Sequence, residues 1–436
     1  MREDNIKPGH IRKLFFLTVI FTLFLSSVSG QAPAIPYSDM VYHQNIKTVN
    51  IHRKGWEISH PVINLHGDNS LLLTFDDLAD SPATYNYIIE HCNNRWEPSG
   101  LTASEYLQGF PDNLIEDYGY SFNTHYDFIH YSLELPNNDL QFKLSGNYII
   151  KVYKDYDEND IAFIKRFHVT ENLAQVTGTV KRPITDDLYH KGQKIEFTVD
   201  YRNLNLQDPS NTVVATVSQN NRPDKTTRVD RSTFNDGQFL EYNYADNQLV
   251  FLAGNEFRNL DLKSVKYLAP GLAEIKYQPP YFHFYLKPDD ERYMKNYSYH
   301  EDLNGRYLID VQDSKNDGTD ADYVNVHFYL PMEAPIVDGE VFVHGNFSNW
   351  NCRYFNKMEY NFDKKQYEAT ILMKQGFYNY QYVVFHDEKG TIDDSYIEGS
   401  YFQTENDYLI IVYYYDRINR YDRIIGTTII NSLHRQ

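Results

Sequence analysis

The sequence predicts an all-β protein made of tandem antiparallel sandwiches with one short helical insertion. Three observations carry that prediction. Apolar and polar residues alternate with period two through many short segments. Gly, Pro, Asn and Asp punctuate those segments. Aromatic residues are unusually abundant, with 39 Tyr and 26 Phe in 436 residues. Alternation places one set of side chains on a buried face and the other in water, the condition of a half-buried strand. Tyrosine suits that surface because its ring is apolar and its hydroxyl reaches a polar partner.

The elements follow in chain order. Arg2, Lys7, Arg12 and Lys13 precede the apolar run LFFLTVIFTLFL, and small residues including Val28 and Gly30 follow it. The run is too short for a bilayer span, which needs about 20 residues. It reads as a secretory signal over residues 1–30, leaving an exported, soluble chain with no membrane span. Removing the leader's four basic and two acidic side chains takes the formal net charge from −19 to −21. That charge argues against nucleic acid or an anionic membrane face as a partner. The remaining length exceeds what one core usually fills. Changes of texture divide it into 31–170, 171–318 and 319–436.

In the first division LLLTF (71–75) and DIAFIKRFHV (160–169) alternate as strands. Between them LTASEYLQGF (101–110) predicts a short helix near 102–108, with Thr102 and Glu105 at capping-box spacing and Gly109 as its stop. In the second, KIEFTVDY places Ile195, Phe197, Val199 and Tyr201 on one face. A polar stretch from 287 to 322 reads mostly as connection. In the third, YEATILM (367–373), YNYQYVVF (378–385) and DYLIIVYYY (407–415) resume the strand pattern.

Adjacent His91 and Cys92 in HCNNRW raise the question of a thiol nucleophile or a metal site. Successive strand residues point to opposite faces, so the two cannot converge on one atom while the segment stays extended. No Cys-x-x-Cys, His-x-x-His or His-Glu-x-x-His supplies further ligands. Cys92 therefore reads as a small buried residue, unpaired with distant Cys352, and His91 and Asn93 as groups that satisfy loop backbone. The acidic runs FDDLAD (75–80) and DYDEND (155–160) lack EF-hand spacing, and the second reads as a hairpin loop. No nucleophile elbow, phosphate loop or cofactor motif is present, which favours a non-enzymatic binding or assembly protein without cofactor or metal.

The N-terminal division carries FDDL (75–78), YNYIIEHCN (85–93), WEPSGL (96–101), EYLQGF (105–110), SFNT (121–124), YSLELPN (131–137) and SGNY (145–148) in this order. As a set these motifs resemble the plug protein family of the Bacteroidota type IX secretion system, densely over 45–155 and more loosely to the C-terminus. The resemblance implies a periplasmic protein attached to the giant outer-membrane β-barrel translocon, closing its periplasmic opening. It marks His91, Cys92, Asn93, Trp96, Tyr106, Gly109, Phe110, Asn123, Gly146 and Tyr148 as signature residues, expected to be architectural, and names no contact residue for the barrel. Separately, EVFVHGNFSNWN (340–351) and KQGFYNYQYVV (374–384) resemble the carbohydrate-binding sandwiches of starch- and glycogen-acting enzymes. Trp350 would be the sugar platform in an alternative, glycan-binding reading. The second aromatic platform is missing, so a fold relative without a sugar site is expected.

Overall fold

The strand Gly192–Asp200 illustrates how alternation becomes architecture: Ile195, Phe197 and Val199 are buried, while Lys194, Glu196 and Thr198 between them are half-buried. The same pattern repeats through a mostly antiparallel, all-β computed structural model that describes residues 37–79, 81–312, 314 and 316–433. The predicted leader at 1–30 lies outside the described residues, as does Asp80 of FDDLAD.

Three hydrophobic cores organise the strands. The first lies between the sheet containing Ile161–Thr170, Gly146–Lys154, Tyr85–Cys92 and Asp112–Leu114 and the sheet Ile46–Arg53, Leu71–Asp77, Ile129–Leu135, Asp117–Tyr120. Phe75 sits at its centre, 4.9 Å from the stacked ring of Tyr131 and 5.1 Å from the edge-on ring of Tyr85. Both tyrosine hydroxyls are satisfied, Tyr85 by Asp77 at 2.8 Å and Tyr131 by the Ala83 carbonyl at 3.0 Å.

The second core gathers Gln175–Lys181, Gly192–Asp200 and Phe239–Tyr242 against Val213–Gln219, Asp407–Asp416 and Tyr421–Asn431. The third packs Leu272–Gln278, Tyr281–Leu286, Tyr323–Pro331 and Gln366–Lys374 against a sheet built on Gly376–His386. The divisions 171–318 and 319–436 therefore exchange elements. Strands between 258 and 309 enter the third core, and the final hairpin enters the second, where Val213 to Gln219 pairs in register with Tyr414 to Tyr408. The cause is that period-two patterning identifies a buried face but not the strand that covers it.

The helix is shorter than predicted. It spans Ala103–Tyr106, with the Glu105 carboxylate accepting the Thr102 N–H at 2.7 Å and the Thr102 hydroxyl at 2.9 Å. Leu107–Gly109 turns extended to pair with Leu140–Phe142, so Gly109 (φ +107°) ends a strand rather than a helix. Its conformation is required: a Cβ there would lie 1.9 Å from the Asp139 carbonyl oxygen.

Because the final hairpin completes the second core, a chain ending at residue 403 should lose that core while the first retains its own strands. Limited proteolysis should then cut selectively within 175–251. Protection of that region equal to the full chain would refute the topology.

Candidate functional site

His91, Cys92, Asn93, Trp96, Tyr106, Gly146 and Tyr148 assemble where the first core meets the final hairpin. His91 and Cys92 do point to opposite faces. The His91 ring lies among Tyr106, Tyr148 and Tyr421, with centroids 5.6, 4.9 and 5.7 Å away, and its Nε2 donates to the Ser145 carbonyl at 3.1 Å. Cys92 lies on the other side among Ile149, Ile161, Ile164, Tyr37 and Trp96. Both Cys92 and Cys352 are free thiols, and burial pushes each up to about 12, so neither is a thiolate at neutral pH.

Gly146 makes the close approach possible. At φ +148°, a Cβ would fall 2.2 Å from His91 Nε2. Next to it, Tyr148 donates its hydroxyl to the Leu144 carbonyl at 2.8 Å, and Tyr106 donates to the Ile89 carbonyl at 3.2 Å. Asn93 closes the loop after the strand. Its Oδ1 accepts the N–H groups of Arg95 and Glu97 at 2.8 and 3.0 Å, and its carbonyl accepts from Asn147 Nδ2 at 3.0 Å. Trp96, at φ +64°, stacks under the Arg166 guanidinium at 4.4 Å.

These groups also dock the hairpin, a role absent from the sequence reading. Tyr413 donates to Asn147 Oδ1 at 2.9 Å, and the Asn94 N–H donates to Asp422 at 2.9 Å. Arg423 forms a two-pronged ion pair with Glu171, whose carboxylate also accepts from Ser145 at 2.6 Å. Buried polar groups left unpartnered are costly, so each contact fixes where the hairpin sits.

A second joint ties the first core to the third. Asp76, within FDDLAD, accepts from Lys374 at 2.6 Å and Tyr323 at 2.7 Å, and pairs with His130 at 2.6 Å. Burial alone would raise the Asp76 carboxyl; the adjacent Lys374 ammonium and His130 together outweigh it and hold Asp76 below its ordinary range. A third joint buries Arg222 between Asp224 and Asp394, 4.9 Å over the Trp350 ring. Trp350 is only 6% exposed, and its ring fills space against Phe257, His344 and Gly305. It is a corner of the interior, not an exposed sugar platform.

Phe110 and Asn123 depart from the architectural expectation. Phe110 is 73% exposed and Asn123 is an exposed left-handed turn residue (φ +59°). DYDEND forms the loop between Gly146–Lys154 and Ile161–Thr170. Among the described residues no group of three or more His, Cys, Asp or Glu could hold a metal. A cavity of about 640 Å³ between residues 41–49 and the strand Gln366–Lys374 is lined by no carboxylate or thiol, and Lys374 within it is already paired with Asp76. The buried titratable groups of these joints are engaged in holding cores together.

Gly146→Ala should destabilise the protein by about 2–4 kcal/mol through strain and overpacking. Combining it with His91→Ala should recover the clash but not the backbone strain, a coupling visible in denaturant unfolding. Strictly additive losses would show that Gly146 does not make room for His91.

Burial holds His91 down to about 4, His168 to about 3 with help from Arg166, and His344 to about 4 with help from Arg222. The unfolded chain binds these protons near pH 6.5 and the folded chain does not. Stability should therefore fall as pH drops from 6.5 toward 4. A melting temperature unchanged between pH 6.5 and 4.5 would contradict these neutral imidazoles.

Residues 46–171 match the family described as Type 9 secretion system plug protein 1st domain. A crystal structure of a hypothetical protein from Parabacteroides merdae ATCC 43184 superposes with a TM-score of 0.87 at 35% identity, covering 91% of this chain and 100% of that one. No curated protein sequence matches the chain. With the signature motifs inside the matched region and a full-length relative of the same fold, the chain belongs to the type IX secretion system plug protein family.

Proposed function

We propose that this protein is a non-catalytic plug that docks on the giant outer-membrane β-barrel translocon of the type IX secretion system and occludes its periplasmic opening. Family membership carries the reading: it places the chain with a secretion system of the cell envelope. The physical properties suit the role. A folded chain of about 400 residues has a radius of gyration of about 21 Å, enough to obstruct an opening tens of ångströms wide. An obstruction must also resist deformation, and buried ion pairs and hydrogen bonds join the first core to both of the others. No helix among the described residues is long and apolar enough to cross a membrane. The predicted leader would deliver the chain to the periplasm, where it attaches to the membrane through the barrel. The glycan-binding alternative loses its only platform because Trp350 is buried.

Deleting the gene should leave the translocon assembled but make the outer membrane permeable to large hydrophilic molecules. The leak should be greatest when subunits that close the barrel's lateral exit are also missing. Impermeability in every such background would rule out occlusion.

A further inference from the structure

Between Arg95 and Lys143 the chain contains no lysine or arginine. Within this stretch two short strands follow one another, and both lie at one border of the first core. Asp112–Leu114 is the last strand of one sheet and Asp117–Tyr120 the last strand of the other. Each pairs on one side only among the described residues, with Tyr85–Cys92 and Ile129–Leu135 respectively. The border therefore presents backbone donors and acceptors from both layers of the sandwich as far as Tyr120; beyond it the Phe122 N–H is taken by the Thr319 carbonyl at 3.0 Å.

Exposed strand edges attract other strands, and proteins usually blunt them with lysine, proline or a cover. Neither strand contains lysine or proline. Instead, aromatic side chains recur at alternate positions: Tyr118 is 49% exposed, Tyr120 62% and, one step on, Phe122 71%. Tyr118 and Tyr120 are packed edge to face at 6.2 Å, a preformed apolar ledge rather than scattered rings. Phe110 opens the same segment and is exposed as well. Asp112, Glu116 and Asp117 are exposed alongside, and none has a cationic partner among the described residues.

We propose that this border is the docking strip for an extended, cationic segment of the secretion barrel, added as an extra strand. The proposal rests on the plug reading. The partner's backbone extends the ladder, its apolar side chains lie on Tyr118, Tyr120 and Phe122, and its Lys or Arg residues meet the three carboxylates. Arginine gains further from the faces of the two tyrosines. Charge selects this occupant over a second copy of the chain. Self-pairing would oppose two acidic borders on molecules whose predicted mature net charge is −21.

The test uses the full-length mature protein and the detergent-solubilised barrel, with affinity measured across a salt series. The double variant Tyr120→Glu/Phe122→Glu should weaken binding by at least about tenfold, the loss expected for interface anchors, with an unchanged melting temperature. Glu116→Gln/Asp117→Asn should weaken binding at low salt and flatten the salt dependence. Tyr354→Glu, at a solvent-facing residue outside this border, should bind like wild type. If the glutamate pair lowers the melting temperature, Tyr120→Ser/Phe122→Ser gives the same comparison. Wild-type binding undiminished in the border variants would overturn the docking strip and leave the plug reading intact. Failure of the wild type to bind would remove the plug reading itself. Self-association of the wild type that the border variants abolish would make a second copy the occupant and refute the proposal.

Discussion

The strand Asp407–Asp416 is buried on both faces from Tyr408 to Tyr414, between the second core and a layer shared with the first division. Tyr408, Ile410, Val412 and Tyr414 point into the second core. Leu409, Ile411 and Tyr413 point the other way, into a layer that includes Val62 of the first division. A strand with no solvent face needs cover on two sides, and no single local sandwich supplies both. The hairpin therefore returns from the C-terminal end of the chain, completes a core begun more than 200 residues earlier, and offers its reverse side to the first core. Its positioning contacts, Tyr413 to Asn147 and Arg423 to Glu171, are made by the same region that carries the HCNN signature.

Polar groups at the joints between cores act on specificity more than on gross stability. A buried ion pair such as Asp76–Lys374 gains little over an apolar pair of the same shape, yet leaving either charge alone is strongly unfavourable. The cores can therefore meet in one register and few others. Tyr323, His130 and Lys374 all converge on one carboxylate, so a small slip would leave several groups unsatisfied together. For a protein proposed to act by filling space, this economy of alternatives is the useful property. The abundant tyrosines contribute in the same way: Tyr85, Tyr131, Tyr148 and Tyr413 bury their rings and still find hydrogen-bond partners.

The outer surface follows a different logic. Several interior carboxylates are matched by cations, Asp76 by Lys374, Asp394 by Arg222 and Glu398 by Arg258, while the segment from 96 to 142 gathers acidic and aromatic residues without a single lysine or arginine. Packing does not require Phe110 or Phe122, which are mostly in solvent. An exposed aromatic group has a hydration cost that burial in an interface removes. The family motifs thus contain two populations of residue, one that holds the first core to the hairpin and one that faces outward.

By itself the sequence determined the kind of structure and the local geometry. Alternation in KIEFTVDY and YNYQYVVF specified strands; Thr102 and Glu105 specified a capped turn of helix; and strand geometry alone separated His91 from Cys92. These are properties of a few consecutive residues, governed by φ/ψ preferences and side-chain period. The ordered motifs also pointed to the family that the matched region bears out. Tertiary structure decided the partners. DYLIIVYYY reads as a strand wherever it is placed, because a continuous apolar run carries no address for its neighbours. Asp76 and Lys374 are 298 positions apart, and nothing local to FDDLAD distinguishes a buried ion-pair anchor from a solvated acidic loop. Trp350 likewise followed a pattern shared with exposed platforms, and only the approach of Gly305 and Phe257 made it interior. Period and propensity specify a surface that must be covered; which distant surface covers it depends on the simultaneous fit of all three cores.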